Sequence, residues 1–217
     1  MKQMPMIFNT EMVNAILDGR KTVTRRPVKY YRPVQWKLSI INGKVVESLR
    51  GGEPLPTGIQ LPCFVGDLIY VRETWREFKH SDECGCSDYC SCPATGTILY
   101  FASHDDGESK WKPSIHMPKA ASRITLKVTD VRIERVQEIT EEQAVLEGMP
   151  TDEECQRKAV ESGLSWYQKP VTWFKNLWDG LYSNWSDNPY VWVIEFEVVN
   201  KNVSEVAEGL KQQESAA

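Results

Sequence analysis

Four cysteines lie close together in the segment ECGCSDYCSC, at positions Cys84, Cys86, Cys90 and Cys92. Thiolates are ligands that Zn²⁺ prefers, and four of them complete the tetrahedral shell of a structural site. The spacing C-x-C-x3-C-x-C differs from the commoner C-x2-C pairs. We predict that the four thiolates bind one structural zinc ion, and the alternative is free thiols on a surface insertion.

A second candidate site is the basic segment GRKTVTRR at residues 19–26. The first 50 residues contain ten Lys or Arg and three Asp or Glu, whereas the whole chain has a net charge of −4. This asymmetry predicts one electropositive face, which would bind a phosphate or another anionic group. The candidate anion ligands are Arg20, Arg25 and Arg26. The alternative is that these charges are solvated surface residues.

Composition and missing motifs exclude several classes of protein. The chain has 217 residues, of which 41% are hydrophobic and 26% charged, as in a globular protein with one sizeable core. His80, His104 and His116 have neither metal-ligand nor catalytic-triad spacing. The sequence contains no G-x-G-x-x-G motif and no P-loop. The N-terminal apolar runs are too short for a signal peptide or a membrane span, so we expect a cytoplasmic protein without a membrane partner.

Local signals place a helix directly before the basic segment. Asn9 or Thr10 can cap this helix, and Gly19 suits the position after its last turn. A later helix after Pro170 carries apolar side chains at helical spacing, and these are Trp173, Phe174, Leu177, Trp178 and Leu181. Such a stripe is more typical of a core than of a platform for stacked bases.

Two capping boxes predict further helices. Thr140 with Gln143 starts one helix, which Gly148 should end, and Thr151 with Glu154 starts the next. Both predicted helices come after the strands that residues 122–139 predict.

Alternating apolar residues predict several strands. Asn42-Gly43 is typical of a hairpin turn, and a strand follows the turn signal Gly66-Asp67, with the segment near residue 98 as its neighbour. Residues 122–139 predict two antiparallel strands, and residues 190–199 predict a central one. Strands and helices in this arrangement predict an α+β fold.

The order of helix, basic segment, strands, capped helix and final aromatic strand resembles the ASCH family of PUA-like β-barrels. That family is marked by G-x-K followed after four residues by Arg, a pattern that Gly19, Lys21 and Arg26 satisfy. The segments VRETW and NPYVWVIEF are also similar to ASCH proteins encoded by tailed bacteriophages and prophages. The resemblance covers residues 5–199.

The resemblance implies an α+β fold with a PUA-like β-barrel, flanking helices and inserted loops. It implies a single domain over residues 1–199 with insertions at about 27–65 and 76–118. The polar composition of residues 200–217 predicts a tail that is either a frayed helix or disordered. The second insertion contains the cysteine cluster.

Within the family, the bacterial amidohydrolases that deacetylate N4-acetylcytidine are similar at the active positions. Their catalytic Lys and Thr lie in a GRKTxT segment, which implies catalytic roles for Lys21 and Thr24. Their catalytic Glu lies near the end of a helix that begins Leu-Thr-Glu, and ITEEQAVLEGM places Glu147 there. The expected substrate is an N4-acylated cytosine nucleoside, and no cofactor is needed for this hydrolysis.

The chemistry of these residues fits amide hydrolysis. Crowding by arginines and burial would lower the pKa of Lys21, so that a neutral amine could take the proton of the attacking Thr24 hydroxyl or of a water. Glu147 could pass a proton to the leaving amine or orient Lys21, while Arg26 or backbone N–H groups would stabilise the oxyanion.

Two alternatives remain open at the sequence level. PUA-like domains are often RNA-binding modules without catalysis, and other members of the family resemble ribonucleases. The partner would then be RNA or a modified base, and the aromatic residue that recognises the base would come from Tyr30, Tyr31 or Trp36 of the first insertion.

Overall fold

A computed structural model describes residues 1–30, 37–48, 52–80, 92–105, 107–162 and 169–216. The chain divides into two compact units, each built from separate segments. The first unit contains Met1–Lys2, Asp18–Asp67 and Lys127–Val198. The second unit contains Gln3–Leu17, Leu68–Leu126 and Val199–Ala217.

The described helices and strands are unevenly distributed along the chain, with seven consecutive strands between the first two α-helices. The α-helices are α1 Thr10–Leu17, α2 Phe101–His104, α3 Glu141–Leu146, α4 Asp152–Ser162, α5 Pro170–Tyr182 and α6 Val203–Ala216. The strands are β1 Gln3–Ile7, β2 Val23–Pro27, β3 Lys37–Ile41, β4 Lys44–Ser48, β5 Leu55–Pro56, β6 Leu68–Arg72, β7 Trp75–Glu77, β8 Ile98–Tyr100, β9 Thr125–Arg135 and β10 Tyr190–Val199.

These strands form three sheets with the orders β1-β6-β9-β10-β2, β3-β4-β5 and β7-β8. β1 pairs with β6 in parallel, and β10 pairs with β2 in antiparallel. β1 and β2 are the two edges of the largest sheet. The predicted α+β fold is therefore confirmed, but the described strands remain open sheets and close no β-barrel.

In the first unit, β2 and β10 position the residues of interest. Their register sets Arg26 opposite Trp192 and Thr24 opposite Ile194. The other face of these strands carries Val23, which packs with α5 in a core cluster. The remaining members of this buried cluster are Val136, Ile139, Ala144, Phe174, Trp178, Val191 and Val193.

The aromatic stripe of α5 is core, as predicted. Phe174 and Trp178 are buried at 2% exposure, while Trp173 and Leu177 pack against the same cluster. Leu181 is the exception, since it is exposed. The stripe is therefore not a stacking platform.

The first insertion contains the predicted hairpin. Lys37–Ile41 pairs with Lys44–Ser48, and the turn residues Asn42 and Gly43 both have positive φ, at 49° and 70°. Two positive φ values match the right-handed twist of the strands that the turn joins.

In the second unit, β6 lies beside the C-terminal helix. Val203 and Ala207 of α6 are buried against Leu68. Of the two predictions for the polar tail, the structure shows the helix, which runs over Val203–Ala216 and packs through Val203 and Ala207. No described helix is long and apolar enough to cross a membrane.

Some predicted strands differ in detail. Residues 125–135 form one continuous strand rather than two. The strand after Gly66-Asp67 breaks after Arg72, and only its continuation, β7, pairs with β8. β10 is an inner strand, between β9 and β2, as its apolar sequence predicts.

Candidate functional site

A cavity of about 660 Å³ opens in the first unit, between β2, β10 and the insertion hairpin. This volume lies within the range of sites for small organic ligands and cofactors. Its walls come from three stretches of chain, and the lining residues are Arg26, Pro27, Lys29, Tyr30, Leu38, Glu47, Thr57, Gly58, Ile59, Gln60, Pro62 and Trp192.

Two cross-strand pairs supply most of the chemistry of the cavity. Arg26 on β2 is the register partner of Trp192 on β10. Leu38 on β3 is the register partner of Glu47 on β4. Directly opposed residues of an antiparallel pair share a face, so each pair presents its two side chains together. The cavity thus combines a guanidinium, an indole and a carboxylate with aliphatic walls.

Hydrogen bonds hold the insertion against the strands. The backbone N–H of Leu38 donates to Oη of Tyr190 at 3.0 Å. Thr57 donates twice to the carbonyl of Val45, from its backbone N–H at 3.2 Å and from its hydroxyl at 2.8 Å. The Thr57 hydroxyl also accepts from the N–H of Ile59. The hydroxyls of Tyr190 and Thr57 thus tie the backbone of the insertion in place around the cavity.

A buried ion cluster lies beside β2, at the end of helix α3. Nζ of Lys21 donates to Oε2 of Glu147 at 2.7 Å and to the Glu147 carbonyl at 2.8 Å. Nη1 of Arg25 donates to the other carboxylate oxygen, Oε1, at 3.0 Å. The side chains of Lys21 and Arg25 are 0% exposed and that of Glu147 is 3% exposed.

The helix cap and the backbone position this cluster. Gln143 closes the predicted capping box with Thr140, and its Oε1 accepts from Nη2 of Arg25 at 2.8 Å. Glu147 is the C-cap residue, directly after the last helical residue Leu146, and its backbone forms an antiparallel bridge with Lys21. Glu134 accepts from Arg25 at 3.3 Å.

Burial controls the protonation of Lys21. Removal of the ammonium from water lowers its pKa from the usual 10.5, and the nearby positive charges of Arg26 and Arg25 act in the same direction. The contact with Glu147 opposes this shift but does not cancel it. A Lys with a lowered pKa beside a carboxylate is a pair that can exchange a proton.

The structure thus brings Lys21 and Glu147 together, as the resemblance implies, across 126 positions of sequence. Thr24 is nearly buried on β2, where side chains alternate between the two faces. It therefore shares the face of Arg26 and the cavity, while Arg25 points to the face with the ion cluster. Among the described residues, the cavity lining includes none of Lys21, Thr24 and Glu147.

The three candidate anion ligands have different surroundings. Arg26 lines the cavity. Arg25 donates its hydrogen bonds to residues of the buried cluster. Arg20 donates to the carbonyls of Gly148 and Met149 and pairs with Asp18 at 2.8 Å. Arg26 is therefore the arginine of this group that a ligand in the cavity can reach.

The proposed zinc site lies largely outside the described residues. Cys84, Cys86 and Cys90 fall in the segment 81–91, and only Cys92 of the four is described. Elsewhere in the described part of the chain, no group of three or more His, Cys, Asp or Glu is arranged to bind a metal ion. The zinc site stays a prediction.

Sequence reasoning missed Glu47, Lys29 and Trp192. The aromatic candidates of the first insertion did include Tyr30, which lines the cavity, whereas Tyr31 and Trp36 lie outside the described residues. The available signal was the alternation of β10, since Trp192 falls on the face opposite the valines that pack on α5. Comparisons with protein-family models, with curated proteins and with solved structures found no match.

Proposed function

We propose that the protein is a binding module for a nucleotide, either free or as an unpaired nucleotide of RNA. The observation that supports this proposal is the cavity, in which Arg26, Glu47 and Trp192 meet among aliphatic walls. An unpaired base is typically bound by stacking on an aromatic side chain and by hydrogen bonds to its edges. A site of this composition provides both.

The apolar part of the cavity suits a flat ring. Trp192 is 5% exposed and Leu38 is 1% exposed, so the surrounding core holds both side chains in place and leaves a small area of each open to the cavity. Tyr30 lines the same space. Stacking of a base on an aromatic ring contributes about 1–3 kcal/mol and is tolerant of sequence.

The charged part of the cavity suits a phosphate at its rim. Lys29 is exposed and follows β2 directly, while Arg26 is partly buried deeper in the same wall. The local excess of positive charge in residues 1–50 would attract an anionic ligand to this face.

The test compares a nucleotide with its nucleoside by calorimetric titration of the full chain. Lys29→Ala should weaken binding of a mononucleotide by about fivefold to tenfold and leave the nucleoside unchanged, because only the phosphate contact is lost. Lys175→Ala, at an exposed position of α5, is the matched control. Equal losses for nucleotide and nucleoside would contradict the assignment of phosphate to the rim.

Amide hydrolysis is a second candidate, and the Lys21–Glu147 contact favours it. In this proposal the fold is that of an ASCH domain, and a neutral Lys21 amine accepts the proton of a water that attacks the acyl carbon, because the Thr24 hydroxyl lies on the opposite face of β2 from the Lys21–Glu147 contact. Glu147 takes this proton from the Lys21 ammonium across their 2.7 Å contact and passes it to the departing cytosine amine as the C–N bond breaks, so that the acid and the amine are released and both side chains return to their starting state.

This second proposal is tested by incubation with N4-acetylcytidine and other N4-acylated cytosines. Lys21→Ala and Glu147→Ala should each lower turnover by about 10² or more, and the losses should not add, since the two groups act as a unit, whereas a similar loss in Thr24→Ala would show that the hydroxyl takes part. Arg25→Ala is a control for damage to the buried cluster. Nucleotide binding without hydrolysis of any substrate would contradict amide hydrolysis and support the binding module. RNA cleavage that depends on Lys21 would favour a ribonuclease.

A further inference from the structure

Arg25 and Arg26 are consecutive residues of β2, so their side chains leave the strand on opposite faces. Nη1 of Arg25 donates to Oε1 of Glu147 in the buried ion cluster at 3.0 Å. Arg26 lines the cavity on the other face. A single strand therefore lies between the wall of the cavity and the cluster that contains Lys21.

Two cations share one carboxylate at the buried end of this cluster. Nζ of Lys21 lies 2.7 Å from Oε2 of Glu147, and Nη1 of Arg25 lies 3.0 Å from Oε1. Glu134 is a second carboxylate that contacts Arg25, but it is 3.3 Å away and its side chain is 20% exposed. A guanidinium keeps its proton in proteins. Lys21 is therefore the cation of the pair that can change its charge.

The charge of Arg26 acts on Lys21 across the strand. Burial is the largest cause that lowers the pKa of Lys21; among the charged groups, Glu147 raises this pKa, and Arg26 and Arg25 lower it. Arg26 has the larger effect of the two arginines, although Arg25 is the one that shares the carboxylate. A negative charge placed beside Arg26 acts over a similar path with the opposite sign, because charges interact more strongly inside a protein than in water.

We infer that an anionic ligand in the cavity is bound together with a proton, which Lys21 takes up on the other side of β2. This inference rests on the proposed nucleotide site, and it makes Lys21 a determinant of the affinity for anionic ligands from outside the cavity lining. Arg26 also has an interaction within the protein. The inference requires no free donor on Arg26, since the charge of the ligand is what acts on Lys21.

The proton balance gives the sign of the effect. In the free protein the pKa of Lys21 lies below its usual value of 10.5, because the ammonium is buried. A phosphate in the cavity stabilises the ammonium and raises this pKa again. Between the two values, binding adds a proton to the amine, so the affinity for the phosphate-bearing ligand falls as the pH rises.

The experiment is calorimetric titration of the full chain with AMP in buffers of different ionisation enthalpy, at several pH values from about 7.5 to about 10. The dependence of the observed heat on the buffer gives the number of protons taken up. The AMP phosphate stays fully ionised over this range, since its second pKa is about 6. The wild type should take up at least about 0.3 proton per AMP at the maximum. Adenosine lacks the phosphate and should bind without proton uptake.

Lys21→Arg is the decisive variant, because a guanidinium keeps the positive charge and releases no proton in this range. AMP should bind to Lys21→Arg without proton uptake and with an affinity that varies by less than about twofold with pH. Lys21→Met should also show no uptake. Lys175→Met, at an exposed position of α5, is the matched control and should keep the uptake of the wild type.

The outcomes separate the two claims. AMP binding without proton uptake by the wild type, or uptake that persists in Lys21→Arg or Lys21→Met, would overturn the link to Lys21 and leave the nucleotide site standing. Equal uptake with AMP and adenosine would also overturn it, and this comparison on the wild type needs no variant. Binding of neither AMP nor adenosine would overturn the nucleotide site itself, and the link with it.

Discussion

Burial of the Lys21 ammonium in the ion cluster costs desolvation free energy. A folded-state pKa below the unfolded value of 10.5 means that the unfolded chain binds more protons between these two values. In that window the stability contributed by Lys21 rises as the pH rises. Its neutral form is the one that burial favours.

This sign gives a pH prediction. The free energy of unfolding of the wild-type protein should increase, relative to that of Lys21→Met, as the pH is raised from 7.5 toward 10.5. Urea unfolding at several pH values measures both proteins. The comparison with the variant is needed because burial raises the pKa of the Cys63 thiol to about 11, which lowers stability in part of the same range.

The control for this experiment is Lys175→Met, which changes an exposed lysine of α5. Its unfolding free energy should follow that of the wild type at every pH. A wild-type curve parallel to that of Lys21→Met would contradict the lowered pKa, because it would show that Lys21 releases no additional proton in the folded state.

The end of helix α3 sets the position of Glu147. Gly148 follows it with φ of +98°, a conformation that residues with a Cβ adopt at a cost. This glycine turns the chain directly after the carboxylate that Lys21 and Arg25 share. The helix stop and the ion cluster are therefore one local structure.

A pair of glycine substitutions tests this point at the scale of the element. Gly148→Ala should destabilise the protein by about 1–2 kcal/mol, since alanine resists positive φ. Gly180→Ala should stabilise it by about 0.5–1 kcal/mol, because this helical glycine has open space around an added methyl group. Thermal unfolding reports both changes. Stabilisation by Gly148→Ala would contradict the conformation assigned to this turn.

Local signals predicted many of the elements. The capping boxes at Thr140 and Thr151 form as predicted, and so does the Asn42-Gly43 hairpin. These features depend on residues within a few positions of one another, so their chemistry is visible in sequence. The resemblance also paired Lys21 with Glu147, which lie far apart in sequence.

Local sequence patterns did not predict the cavity. Leu38 meets Glu47 across a hairpin, and Arg26 meets Trp192 across 166 positions through a strand register that local patterns do not specify. Arg25 was predicted to bind an anion because it lies in a basic run. Side chains alternate between the two faces of β2, and this alternation directs the Arg25 side chain toward the buried cluster. The packing of α6 was not predicted because its two small buried residues, Val203 and Ala207, lie in a polar sequence.

For the whole molecule, the charge distribution limits how nucleic acid can bind. The net charge of the chain is −4. Two basic residues, Arg26 and Lys29, line the cavity. Binding of single-stranded RNA should therefore depend on salt only weakly. About two phosphate contacts predict a slope of about −1.4 in a plot of log affinity against log salt concentration.

The same plot distinguishes the arginines. Arg26→Ala should make the slope shallower by about 0.7, whereas Arg20→Ala should leave it unchanged, because Arg20 is bonded to the carbonyls of Gly148 and Met149. Fluorescence anisotropy with a labelled oligonucleotide gives the slopes. A slope near −5, as a protein coated by RNA would show, would contradict a site confined to the cavity.

The central claim is that the cavity binds a nucleotide through Trp192. Its most direct measurement is calorimetric titration of the wild type, Trp192→Leu and Trp173→Leu with one mononucleotide, the last variant changing a tryptophan of the same unit outside the cavity lining. Loss of the stacking ring should weaken binding by about tenfold or more in Trp192→Leu and leave Trp173→Leu near the wild type. Binding that is equal in the wild type and Trp192→Leu, or no binding to the folded wild type at millimolar nucleotide, would contradict the account.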